Sequence, residues 1–134
     1  MQIFRDFLSC DSSEDEPLVI HRHGETPGRA LIVLIHGLNG GRYTTWVPKG
    51  HAPTTVGLPL FLYEDFPDLD VGLYAYRTGY KRLKWWKSIE LKDEAKVLAD
   101  RIRDLAGKYS TIILGGHSMG GMLARAAVSE LIDR

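Results

Sequence analysis

The run Thr111-Ile112-Ile113-Leu114-Gly115-Gly116-His117-Ser118-Met119-Gly120-Gly121-Met122 decides how this sequence is read. Thr111 to Leu114 is short, apolar and β-branched, which suits a buried strand. The Ala/Met/Leu-rich stretch after Ser118 suits a helix. Between them, Gly116-His117-Ser118-Met119-Gly120 fits the pattern G-x-S-x-G, a sharp strand-to-helix turn with a serine at its tip. Such a turn forces a strained backbone at the serine, at a cost of roughly 1–3 kcal/mol. The flanking glycines remove Cβ atoms that would collide where strand and helix pass. The first helical amides, unpaired at a helix start, then face the hydroxyl. A bare hydroxyl beside amide donors suits nucleophilic chemistry that develops negative charge. The plainer alternative is a glycine-rich turn of an α/β domain; the strand before and the helix after favour the sharper reading.

Upstream, Leu31-Ile32-Val33-Leu34-Ile35 is an unalternating aliphatic run, as expected of a central strand covered on both faces. It leads straight into His36-Gly37-Leu38-Asn39-Gly40-Gly41. A glycine-rich loop leaving such a strand can turn a backbone N–H toward a ligand; the bland alternative is a tight turn. Neither glycine loop carries the Lys-Ser/Thr of a P-loop or the G-x-G-x-x-G spacing, which argues against phosphate or nucleotide binding.

The remaining elements follow from periodicity. Gln2 to Leu8 reads as an edge strand or an arm, and Asp11 to Pro17 as an acidic solvated connection. Leu18 to His21 reads as a strand, and Gly24 to Gly28 as a turn. His21 and His23 share a face at strand spacing, but no further ligand pattern completes a metal site, so none is expected. Arg42 to Leu58 is loop-like. Leu60 to Phe66, before Pro67, suits a short helix. Asp70 to Tyr76 suits a strand with Val71, Leu73 and Ala75 alternating. Leu91, Ala95, Leu98, Ile102 and Leu105 form one apolar stripe on a helix from Ser88 to Ala106, with Gly107 as its C-cap. On the helix from Met119, the buried side is expected to hold Met122, Ala126 and Leu131. Strands alternating with helices imply an α/β fold, a mostly parallel sheet with flanking helices. Ligands of such sheets sit at the carboxyl ends of the strands, where both glycine loops lie.

The 134 residues leave room for one domain, and 44% hydrophobic content supports a packed core. Net charge is zero, so nothing favours nucleic acid as a partner. A single cysteine, Cys10, suits a reducing compartment. Arg5 and Asp6 break the apolar start, which argues against a signal peptide. The longest apolar run, Ala30 to Ile35, is too short to span a bilayer. The expected localisation is therefore cytoplasmic. The basic and aromatic stretch Lys81-Arg82-Leu83-Lys84-Trp85-Trp86-Lys87 suits weak membrane or lipid contact, or a solvated loop whose tryptophans cover the next helix.

Taken together, the strand followed by HGLNGG, Trp46, the Leu73-to-Tyr76 strand and GHSMGGMLAR resemble the α/β-hydrolases, most closely the lipase-like serine esterases, from about Leu31 onward. The resemblance implies Ser118 as nucleophile and the Leu38 and Met119 amides as oxyanion donors. It places His36, Gly37, Asn39 and His117 on the substrate side. It implies a small-molecule ester or lipid as substrate and no cofactor. In that superfamily an acid and then a histidine follow the nucleophile. Here His21, His23, His36 and His51 all precede Ser118, His117 belongs to the elbow itself, and Asp100, Asp104 and Asp133 fall on expected helices. The expectation is therefore a single partial domain, 1–134, truncated after the elbow helix. Its last strand would be a bare edge prone to self-association. The alternative is a non-catalytic hydrolase-like module for binding or assembly, completed by another chain.

Overall fold

Strand β2 (Ala30–Ile35) is the axis of the molecule, because its residues are apolar in both directions. A computed structural model describes residues 16–37, 40–53, 55–76 and 88–133 of the chain. The expectations for Gln2 to Leu8, for Lys81 to Lys87, and for Leu38 and Asn39 lie outside the described residues. The elements follow in the order β1 (Leu18–His21), β2, α1 (Leu58–Asp65), β3 (Leu69–Tyr74), α2 (Ser88–Leu105), β4 (Thr111–Gly116) and α3 (Met119–Ile132).

The four strands form one sheet in the order β1-β3-β2-β4. It is mixed: β2 runs parallel to β3 on one side and to β4 on the other, whereas β1 pairs antiparallel with β3. Leu31, Val33 and Ile35 of β2 face a core shared with Leu98, Ala99 and Ile102 of α2 and Leu123 and Ala127 of α3. On the other face, Leu34 joins Val71, Leu73, Tyr43, and Leu60 and Tyr63 of α1. Asp70 and Tyr74 of β3 are buried too, so this strand is covered on both sides rather than half-exposed as its alternation suggests. The cause is its place in the sheet, flanked by β1 and β2, with α1 against one face and Tyr74 reaching Glu94 of α2 from the other.

The α2 stripe is buried as its spacing requires, with Ala95, Leu98, Ile102 and Leu105 all inside. Gly107 is not in the left-handed conformation of a C-cap glycine; the helix instead unwinds through turns in which the Lys108 and Tyr109 amides donate to the Leu105 carbonyl. Helix α1 starts at Leu58, earlier than its apolar run suggests. Pro59 is tolerated in the first turn, where its missing N–H has no partner to lose. Met122 is the clearest departure. It is 54% exposed, and the buried face of α3 runs instead through Gly120, Leu123, Ala124 and Ala127. Gly120 faces inward because the helix start presses against the Ile35 backbone at the end of β2. Strand β4 is the outer strand: Ile112 and Leu114 pack inward, while Ile113 on the opposite face is 45% exposed. Among the described residues no helix is long and apolar enough to cross a membrane.

Candidate active site

The parallel strands β2, β3 and β4 end together, and the chain that leaves β4 turns at once. The His117 amide still donates to the Ile35 carbonyl at 3.0 Å, extending the ladder one step past the strand. Ser118 then adopts φ 55° and ψ −123°. It is the only non-glycine residue with positive φ among those described. These are the dihedrals of the first central residue of a type II′ turn, a position that favours glycine. The Gly120 amide closes the turn on the His117 carbonyl at 2.9 Å, and the Gly121 amide donates to the Ser118 carbonyl at 3.0 Å.

Serine is a favoured N-cap because its oxygen can accept a helix-start amide. Ser118 stands at the N-cap of α3 and makes no such bond. Its side chain is exposed, and the Gly120 and Gly121 amides are already taken by backbone carbonyls. The Met119 amide has no backbone acceptor among the described residues.

Three glycines make this packing possible. A Cβ on Gly116 would fall 2.5 Å from the carbonyl carbon of Gly120, and one on Gly120 would fall 2.5 Å from the His36 carbonyl oxygen. Real side chains essentially never approach so closely. A Cβ on Gly37 would lie 2.8 Å from Ser118 Cβ and 2.7 Å from the His117 carbonyl oxygen. The His36-Gly37 segment and the serine turn are therefore in direct contact.

His36 is 1% exposed and does not open to the site. The Tyr76 amide donates to His36 Nε2 at 3.2 Å. A backbone N–H can only donate, so the neutral ring carries its proton on Nδ1, which donates to the Gly37 carbonyl at 2.9 Å. Burial, with a smaller contribution from Arg42, holds its pKa below the usual histidine value against the opposing effect of these two bonds. His36 thus shapes its loop from behind and offers no free nitrogen to a substrate. Tyr76 lies in the stretch expected as a strand but carries no site role in the sequence. Its ring stacks on His36 with centroids 4.4 Å apart, and its hydroxyl donates to the His36 carbonyl at 2.7 Å. Burial first, and Glu94 second, push its phenol up to about 12, so it remains a donor at neutral pH. An aromatic residue at the carboxyl end of a parallel strand is the one signal that points to it.

His117 is exposed, with Trp46 edge-on at 6.2 Å. Trp46 is tied to the start of α1 through its carbonyl, which accepts the Leu58 amide. The Trp46 indole N–H is buried without a partner among the described residues. The neighbouring loop holds an open depression of about 310 Å³ lined by Tyr43, Val47, Lys49, His51 and others, but not by Ser118.

All five histidines of the chain are described, and none hydrogen-bonds to the Ser118 hydroxyl. His21 and His23 lie toward the amino ends of the parallel strands, away from the serine. There His21 meets the Tyr43 hydroxyl at 3.3 Å, and His23 stacks on Tyr63 at 3.9 Å. His51 is exposed near the Lys49 carbonyl. Asp70 is fully buried at that same far end, where it accepts from the Tyr109 hydroxyl and the Gly28 amide, both at 2.8 Å. Its role there is to fasten the Gly28 turn to β3. Asp100 pairs with Arg103, and Asp104 and Asp133 are exposed on α2 and at the end of α3. Among the described residues no cluster of three or more His, Cys, Asp or Glu could hold a metal ion. Comparison of the chain with protein-family models, with curated proteins and with solved structures finds no match.

Proposed function

We propose that this chain carries the nucleophile of a serine hydrolase of the α/β-hydrolase type, acting on carboxylic esters of small molecules or lipids. One observation carries the reading: Ser118 holds a backbone conformation that costs roughly 1–3 kcal/mol, and its hydroxyl caps nothing. Strain maintained at an exposed, uncapped hydroxyl has a ready explanation in nucleophilic chemistry. In the proposed reaction Ser118 Oγ attacks the ester carbonyl carbon and loses its proton to a base. The carbonyl oxygen becomes an oxyanion for which the Met119 amide is one proposed donor and, by resemblance to the α/β-hydrolases, the Leu38 amide the other. The alcohol leaves with a proton, and water releases the acid from the acyl-serine. Losing one oxyanion donor costs about 10²–10³ in rate in enzymes of this kind. His117 and the Gly37 edge of the loop flank the serine and contribute to the substrate side.

The test is covalent labelling. A fluorophosphonate probe is added to the protein expressed from its complete gene, and the modified peptide is mapped. Modification at Ser118, lost in Ser118→Ala, is the expected result. A folded protein that stays unlabelled at Ser118 counts against the reading.

A second reading has its own support. None of the chain's histidines reaches the Ser118 hydroxyl. That favours a hydrolase-like module that binds or assembles, or a site completed by another chain. Hydrolysis of a p-nitrophenyl ester by these 134 residues alone, abolished in Ser118→Ala, would eliminate it.

A further inference from the structure

We propose that Tyr76 is a positioning residue that fixes the His36-Gly37 segment against the turn that carries Ser118. The inference rests on the hydrolase reading and adds a residue to it.

Tyr76 grips His36 at both ends. Its amide donates to the ring at Nε2, and its hydroxyl donates to the backbone carbonyl of the same residue. The stacked rings, 16° from parallel, hold the two groups together. Because Nε2 is occupied as an acceptor, the ring proton is on Nδ1, and Nδ1 reaches the Gly37 carbonyl. The Gly40 amide donates to that same carbonyl at 3.0 Å. Among the described residues two donors hold the Gly37 carbonyl, one of them kept in place by the Tyr76 backbone amide, which fixes the tautomer.

The grip also sets a distance. The His36 carbonyl that accepts the Tyr76 hydroxyl is the atom against which Gly120 packs. Gly37, one residue on, packs against Ser118 Cβ. One tyrosine thus governs where the loop stands relative to the turn that carries the serine.

Tyr74 supplies the control. It also donates a hydroxyl bond, to Glu94 at 2.9 Å, and is more deeply buried than Tyr76; its ring stacks on that of Tyr76 at 6.1 Å, a contact that Tyr74→Phe keeps, and its hydroxyl bonds to α2 rather than to His36. Labelling of Ser118 by a fluorophosphonate is followed as a function of probe concentration, in the protein expressed from its complete gene. Tyr76→Phe is expected to lower the limiting labelling rate about tenfold or more, with the half-saturating probe concentration little changed, as befits a serine turn no longer held in place. Tyr74→Phe is expected to label as fast as the unsubstituted protein.

The outcomes separate the two claims. If the unsubstituted protein does not label at Ser118, the hydrolase reading falls and the inference with it. If it labels and Tyr76→Phe labels equally fast, the inference alone is overturned. Equal slowing in both variants also overturns it, by assigning Tyr76 a merely structural part. Should Tyr76→Phe fail to fold, the Tyr76 hydroxyl proton in NMR spectra of the unsubstituted protein decides. Slow exchange with water upholds its bond to the His36 carbonyl, and fast exchange overturns the inference.

Discussion

Gly37 and Ser118 are in contact: a Cβ built on the glycine would stand 2.8 Å from the serine Cβ. The neighbouring atom on the other side is the His117 carbonyl oxygen, at 2.7 Å. Both belong to a strained backbone turn and have little room to yield. Gly37→Ala must therefore push the loop away from the turn. Overpacking of this kind typically costs about 1–3 kcal/mol. If the loop carries an oxyanion donor, labelling of Ser118 drops as well, by about 100-fold. Chemical unfolding and probe kinetics on one variant read both effects.

Ser118 stores strain that glycine would not feel. Ser118→Gly removes the Cβ from a positive-φ position, and Ser118→Ala keeps it. The relief is roughly 1–3 kcal/mol, reduced by the ~0.5–1 kcal/mol that glycine loses through its freer unfolded chain. Ser118→Gly is expected to be more stable than Ser118→Ala by about 1 kcal/mol, with both variants inert to the probe. A Ser118→Gly variant less stable than Ser118→Ala by about 0.5–1 kcal/mol would mean that the turn is not strained at this residue.

His21 makes stability depend on pH. It is buried, and burial together with Arg42 lowers its pKa from 6.5 to about 3. The folded state thus holds it neutral while the unfolded chain takes up a proton below 6.5. The contribution is complete above the unfolded value. It is lost as pH falls from 6.5 toward about 3, and it changes no further below that. Between pH 7.5 and pH 5, before most carboxylates titrate, the loss is about 2 kcal/mol. His36, shifted in the same direction, adds to it. Urea midpoints at the two pH values measure the slope, and His21→Gln is expected to flatten it.

The serine turn is legible because close backbone packing leaves a trace in the chain: Gly116 and Gly120, and Gly37 opposite them, are glycine where any Cβ would collide. The α2 stripe was legible because Ala95, Leu98, Ile102 and Leu105 repeat with the helix period. The direction of β1 was not, since nothing in Leu18 to His21 encodes its pairing with Val71 to Tyr74. For Met122 size is a poor sign of burial. Helix α3 buries Gly120, Ala124 and Ala127 beside Leu123 and leaves the methionine outside. The role of Tyr76 is not legible because its partner His36 is 40 residues away, and no local pattern announces a bond of that span.

Strand β4 bounds the sheet, pairing with β2 alone among the described residues. Its outer face carries Ile113, 45% exposed, opposite Ile32 of β2. An uncharged apolar edge with unpaired backbone groups is a template for another strand. Association of this 134-residue chain is therefore expected to grow with concentration in light scattering. Ile113→Lys sets a charge on that edge and should hold the chain monomeric. It should change folding stability by no more than about 0.5 kcal/mol, as for a surface position. A chain that stays monomeric without the substitution would show that this edge does not drive association, and a lysine variant that still associates would place the contact elsewhere, with the exposed Met122, Val128 and Ile132 of α3 the next surface to charge.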